Sequence, residues 1–136
     1  MKTFMYAFVK ETDKAVPFYQ EAFGATVHYN HYGDEDLLPD GTYMHVELKF
    51  DSCMLGLSEQ SENNPDSIAG EQNSGNIMQF ILMFEANEED KLRKAYEVLS
   101  EGAKIYTPLQ EYPYAYLICD LTDKFGIRWC MGIAKK

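Results

Sequence analysis

Apolar positions follow two periods along this chain, in an order that occurs twice. An extended apolar run, Phe4 to Val9, gives way to ETDKAVPFYQEAFGA, where Val16, Tyr19 and Phe23, with Phe18 or Ala22, share one face at helical spacing. A second run, Ile77 to Phe84, leads into ANEEDKLRKAYEVLSEGA, with Leu92, Ala95, Tyr96 and Leu99 as its apolar stripe. Both helical stretches stop at Gly-Ala (Gly24-Ala25 and Gly102-Ala103), where glycine can take the left-handed conformation that ends a helix. Thr12 or Asp13 is the expected cap of the first helix and Asn87 of the second, whose opening Glu88-Glu89-Asp90 suits the positive end of the helix dipole. Pro17 has to fall within the first turn or two, where its missing amide costs least. Each helix is followed by an aliphatic residue in returning extended structure (Val27, Ile105), and then by a hairpin-like pair: HVELKF-DS-CMLGLS and YLICDL-TDKFG-IRWCMGI. The pattern predicts an α+β fold of two tandem βαβββ modules, about 1–58 and 77–134, in one domain spanning 1–136. Their mostly antiparallel strands are expected to curve around a shared ligand cleft.

Two stretches break the pattern. Residues 58–76, SEQSENNPDSIAGEQNSGN, have no apolar periodicity and predict a long solvated loop, either a lid or a linker. In HYGDEDLLPDGTY, residues 31–43, turn signals at Gly33-Asp34 and Asp40-Gly41 surround Leu37-Leu38, an apolar pair suited to covering part of the core or meeting a partner subunit.

Composition narrows the class of function. With 46% hydrophobic and 14% aromatic residues the chain can bury a core, which excludes general disorder. The net charge of −10 argues against nucleic acid and against an anionic membrane surface as partners. No apolar run approaches the roughly 20 residues of a spanning helix, and MKTFMYAFVKETDK lacks a secretory h-region. Cys53, Cys119 and Cys130 are odd in number and lie in apolar strand runs, so they are expected as buried thiols in a reducing cytoplasm.

Three phrases carry a family resemblance. The helix phrase AVPFYQEAFGA (15–25) resembles the Ala-x-x-Phe-Tyr-x-x-Ala-Phe-Gly signature of PhnB-like proteins. MHVELKF (44–50) with the following MLGLS resembles their second signature, and PLQ (108–110) with LTDKFGIRW (121–129) their third. These proteins, also called 3-demethylubiquinone methyltransferase-like, form a branch of the vicinal oxygen chelate superfamily, with glyoxalases, dioxygenases and bleomycin resistance proteins. The resemblance covers nearly the whole chain apart from 58–76. No Gly-rich turn after a strand supports the methyltransferase label.

The resemblance implies a divalent metal, held by His, Glu or Gln from the opening and closing strand of each module. At those positions this chain offers Phe4 (or Tyr6 if the alignment slips), Leu57 with Glu59 just beyond, Gln79, and Trp129-Cys130. Only Gln79 is a ligand by type, and one ligand does not hold a metal, so neither a metal site nor another cofactor is expected. His28 and His31 lack further ligands and are expected at a surface strand end. A different polar set is more promising. His45, Glu47 and Lys49 alternate with Val46, Leu48 and Phe50, so they share a strand face. If that face is the ligand's, His45 and Glu47 are the candidate general acid/base pair; otherwise the face is simply solvated. Tyr114 and Tyr116, with Tyr112 nearby, and Trp129 on the facing strand could supply aromatic walls, with Gln79 as a polar anchor. Packing in the core or a dimer would use the same rings.

Two functions stay open. One is a metal-independent binder of a small apolar or aromatic molecule, of the PhnB-like kind and homodimeric. The other is a metal-dependent lyase, isomerase or dioxygenase of the same superfamily. The missing ligand set favours the binder.

Overall fold

The computed structural model describes residues 1–29, 37–64, 67 and 77–136. His31, Gly33, Asp34 and most of 58–76 lie outside them, so the expectations placed there are not addressed. The described elements are β1 (Met5–Val9), α1 (Thr12–Phe23), β2 (Thr26–Tyr29), β3 (Val46–Phe50), β4 (Cys53–Glu59), β5 (Phe80–Met83), a 3-10 turn (Ala86–Glu88), α2 (Glu89–Leu99), β6 (Lys104–Tyr112), β7 (Ala115–Thr122) and β8 (Arg128–Ala134). They form two four-stranded sheets of orders β1-β4-β3-β2 and β5-β8-β7-β6, the same order twice. The tandem βαβββ repeat is thus present. Each sheet is mixed: β1 runs parallel to β4 and β5 to β8, while the remaining pairs are antiparallel. The helix brings the chain back into β2 (or β6) running the same way as the opening strand, and the two antiparallel pairings that follow leave β4 (or β8) parallel to that strand. By contacts the chain divides into one unit of 1–20 and 24–76 and a second of 21–23 and 77–136, and each is described by itself.

In the first unit Val46, Leu48 and Phe50 of β3 and Leu55 and Leu57 of β4 are buried. So are Ala15, Val16, Phe18 and Tyr19 of α1. The apolar stripe read from helical spacing is thus buried except at its end, where Phe23 is half-buried and groups with the second unit, and Gly24 ends the helix at φ 64. The cap differs from expectation. Neither Thr12 nor Asp13 caps with its own side chain; the carboxylate of Glu59, buried at the end of β4, accepts from the amides of Glu11 and Thr12 (both 2.9 Å) and from the Thr12 hydroxyl (2.8 Å). Thr12 Oγ1 in turn accepts from the Tyr43 amide at 2.7 Å. Leu38 of the apolar pair is buried, and Leu37 bridges to Tyr43.

In the second unit Leu92, Ala95, Val98 and Leu99 of α2 are buried, as are Leu117, Cys119, Leu121, Trp129, Met131 and Ile133 of the sheet. Here too the cap is not the expected Asn87. α2 has no side-chain cap of its own; it follows a 3-10 turn on which Glu85 and Glu88 form a reciprocal capping box, the Glu85 amide donating to Glu88 Oε2 at 2.9 Å. Among the described residues no helix is long and apolar enough to cross a membrane.

Candidate functional site

Alternation gives the first sheet a second, polar face. With Val46, Leu48 and Phe50 turned to the core, Glu47 and Lys49 point the other way. Tyr6 pairs with Gly56 and Phe8 with Ser58 across the parallel β1–β4 ladder, and Glu47 also pairs with Gly56, which brings these residues onto that face. Gly56 has a packing reason to be glycine. A Cβ there would stand 2.4 Å from Tyr6 Cδ2, so the bare backbone is the seat of the Tyr6 ring.

On this seat four polar side chains line up. The Tyr6 hydroxyl lies 2.9 Å from His45 Nδ1 and also hydrogen-bonds the hydroxyl of fully buried Ser58. On the other side of the imidazole, Nε2 is 3.3 Å from Glu47 Oε2. The Tyr6 and His45 rings are nearly parallel (23°, centroids 5.6 Å apart), and Phe8 stands 5.5 Å from Tyr6 on its other flank. With Nε2–H donating to Glu47, the neutral tautomer leaves Nδ1 to accept from Tyr6. The chain Glu47–His45–Tyr6–Ser58 can therefore pass a proton from hydroxyl to imidazole with the carboxylate steadying the imidazolium. The His45 side chain is 32% exposed and that of Glu47 15%, so the chain is neither sealed in the core nor fully solvated.

The positions that the resemblance assigns to a metal do not assemble one. Phe4 precedes β1 and is exposed, Leu57 points into the core, and Glu59 is committed to capping α1. Tyr6, one register step on, is the β1 residue that joins the polar chain. Among the described residues no group of three His, Cys, Asp or Glu could hold a metal ion. Both ring nitrogens of His45 already have partners. The residues present do not fit the family's metal.

The second unit scatters the remaining expected ligand residues. Trp129 is a correction: it is fully buried, with its ring against Phe23 (5.2 Å) and Phe80 (5.5 Å), and its indole N–H donates to Asp123 Oδ2 at 2.9 Å. Asp123 Oδ1 also accepts from the amides of Phe125 and Ile127, and Gly126 takes φ 93, so the DKFGIRW phrase is a turn tied to a core tryptophan. Tyr114 sits in the β6–β7 turn, stacked on Tyr112, not beside Tyr116 as alternation suggests. The turn ends only at Ala115, where β7 begins, so Tyr114 stands outside the strand's alternation. Tyr116 reaches α2 instead, where its hydrogen bond to Glu89 raises the phenol's pKa. Gln79 precedes β5 and is exposed. The face opposite the core carries a second polar group: Arg128 pairs bidentately with Asp120 (3.0 and 2.8 Å) and lies 4.7 Å from the Tyr106 ring centroid. Burial pushes the Cys119 thiol up to about 12, which makes it unreactive, and His28 is exposed on β2.

With fold and site in place, the comparisons with known proteins fall into line. Residues 3–131 match the family profile described as Glyoxalase/Bleomycin resistance protein/Dioxygenase superfamily. This chain belongs to that superfamily. No curated protein matches it. Among solved structures it is similar to protein PA1353 from Pseudomonas aeruginosa (19% identity, TM-score 0.74, covering 100% of this chain and 99% of the other). It is also similar to the PhnB protein from Bacillus cereus (19%, 0.69, 98% and 100%). TioX from Micromonospora sp. ML1 shares the fold at 18% identity and TM-score 0.58, over 98% of this chain and 100% of its own. At such identities the likeness shows the fold alone.

Tyr6 and Ser58 are the residues that sequence reasoning missed. Tyr6 stands inside an apolar run and reads as core. The available signal was Gly56, an isolated glycine in a strand, which marks the close approach of another group.

Proposed function

We propose that this member of the superfamily is a metal-independent binding protein of the PhnB-like kind, which holds a small apolar or aromatic molecule. The observation that carries the reading is the open face of the first sheet, where the exposed ring of Phe8 and the half-buried Tyr6 adjoin the polar His45–Glu47 pair. An apolar wall with a few convergent polar groups is the usual composition of a small-molecule site. Metal-dependent lyase, isomerase or dioxygenase chemistry has no comparable support, because among the described residues no ligand set converges. Screening small aromatics by ligand-observed NMR tests the proposal. Binders should be found, and His45→Ala should weaken them about tenfold, the order of one charge-assisted hydrogen bond, without lowering the melting temperature. Elemental analysis of protein prepared without chelator or metal resin should find less than stoichiometric metal. About one transition-metal ion per chain, lost on mutating Gln79 or His45, would overturn the metal-independent reading. The same proposal takes a homodimer as the resting state, since Phe4, Phe8, Ile81 and Met83 leave apolar side chains exposed on and beside the edge strands β1 and β5. Light scattering on the eluting protein checks it.

A further inference from the structure

We infer that the ligand of the first sheet's polar face is an aromatic molecule bearing an acidic hydroxyl, and that it binds as its oxyanion, giving its proton to His45 through Tyr6. This rests on the reading of that face as the binding site and adds the chemistry of what binds. Three features converge on it. Phe8, 44% exposed and 5.5 Å from Tyr6, offers an aromatic surface at the open end of the face. Next to it the Tyr6 hydroxyl forms the middle of a chain whose far end is a His–Glu pair, an arrangement that takes up a proton rather than merely donating a hydrogen bond. Gly56 then fixes the Tyr6 ring flat on the strand, so the hydroxyl is held between His45 Nδ1 and Ser58.

The transfer balances without a co-reactant. The ligand O–H bond breaks and its proton goes to the Tyr6 oxygen, as the proton already there passes to His45 Nδ1. The electron pair stays on the ligand oxygen. His45 becomes an imidazolium between Tyr6 and the Glu47 carboxylate, and the Tyr6 hydroxyl, itself bonded to Ser58, is the donor to the oxyanion. The neighbouring groups bear on the same equilibrium. From β3 and its lead-in the face carries His45, Glu47 and Lys49, and from β1 Tyr6 and Phe8. From β4 it carries Met54, Gly56 and Ser58, none of them titratable. Strand β2 sets Thr26 opposite Lys49 and Tyr29 opposite Glu47. Lys49 is thus the one cation described on this face whose charge could favour a bound anion without the relay, and the test has to separate the two.

The probes are 4-nitrophenol, whose oxyanion has its own visible absorption band, and 4-nitroanisole, which has the same ring and no proton to give. At a pH where free 4-nitrophenol is mostly protonated, the full-length protein should bind it and bring up the phenolate band. It should bind 4-nitroanisole about tenfold more weakly, the order of one charge-assisted hydrogen bond. Tyr6→Phe and His45→Gln should both abolish the phenolate band and bring the two affinities together, with circular dichroism melting confirming that each variant is folded. Lys49→Ala should leave the band in place. Bound 4-nitrophenol that stays protonated, or equal affinities for the two probes, would overturn the inference while leaving the small-molecule reading intact. A phenolate band lost in Lys49→Ala but kept in Tyr6→Phe would also overturn it, by assigning the shift to the lysine's charge. If neither probe binds, the binding reading of this face fails and the inference falls with it.

Discussion

Single residues in this chain act at a distance from where they stand in sequence. Gly56 is conspicuous only for lacking a side chain, yet the absence is what admits the Tyr6 ring. Gly56→Ala should force that ring off the strand, cost about 1–3 kcal/mol as an overpacked site does, and break the Tyr6–His45 hydrogen bond. Urea denaturation measures the first effect; the second appears as a changed histidine ring resonance, in a protein with only three histidines. Glu59 is a second case. Its buried carboxylate accepts three hydrogen bonds at the start of α1, 47 or 48 residues away in the chain. Glu59→Gln keeps the shape but gives up the charge and presents an N–H where an acceptor is needed. The expected loss is about 1–3 kcal/mol in urea denaturation, the range for a buried group left without its partner. A loss as small as that of a surface substitution would show that the cap contributes nothing.

At the scale of elements, the two helices both begin and end differently. α1 stops on Gly24 in the left-handed conformation at φ 64, whereas α2 ends at Leu99 with Ser100 still right-handed, and the left-handed glycine, Gly102 at φ 71, comes only in the turn that follows. At their starts α2 follows directly on a 3-10 turn that the Glu85–Glu88 box caps locally, whereas α1 borrows Glu59 from β4. The start of α1 thus depends on the sheet having formed. Pro17 is exposed in its second turn, where it withholds an amide that could bond to the carbonyl of residue 13. Pro17→Ala should therefore stabilise the protein by about 1 kcal/mol or more, since the restored hydrogen bond and helix propensity outweigh the looser unfolded chain. A thermal melt reads it. An unchanged or lower midpoint would mean that the proline ring makes packing contacts that outweigh its backbone cost.

At the scale of the whole molecule, the division into units does not follow the sequence repeat. Residues 21–23, the last turn of α1, group with 77–136, and Phe23 lies 5.2 Å from Trp129. Cutting the chain at the module boundary would strip Trp129 of one of its walls. Phe23→Ala should cost about 2–4 kcal/mol, below the top of the Phe→Ala range because the ring is only half-buried. It should also shift the emission of the only tryptophan to longer wavelength as water reaches the indole. Unchanged emission in that variant would show that Phe23 does not shield Trp129.

The pattern of apolar and polar positions was enough to place most of both helical stripes (Tyr96 is half-buried where Val98 is buried), both hairpins and the repeated order of elements, because burial of one face per element is a local periodic demand. The phrases that carry the family resemblance are of the same kind. Ala15, Phe18, Tyr19 and Ala22 are core, Gly24 is a helix stop, and Asp123, Gly126 and Trp129 build one turn. They identify a fold, which is why Trp129 belongs to the core and not to a ligand site. Alternation also put His45 and Glu47 on one face. What it could not supply was their company, for Tyr6 meets His45 and Ser58 only through the parallel pairing of β1 with β4, across 39 and 52 residues of chain. Likewise the pairing of Tyr116 with Glu89, and the strand-end carboxylate that caps α1, depend on long-range contact. Periodicity specifies which face a residue occupies; only the folded sheet decides which residues share that face at hydrogen-bonding distance.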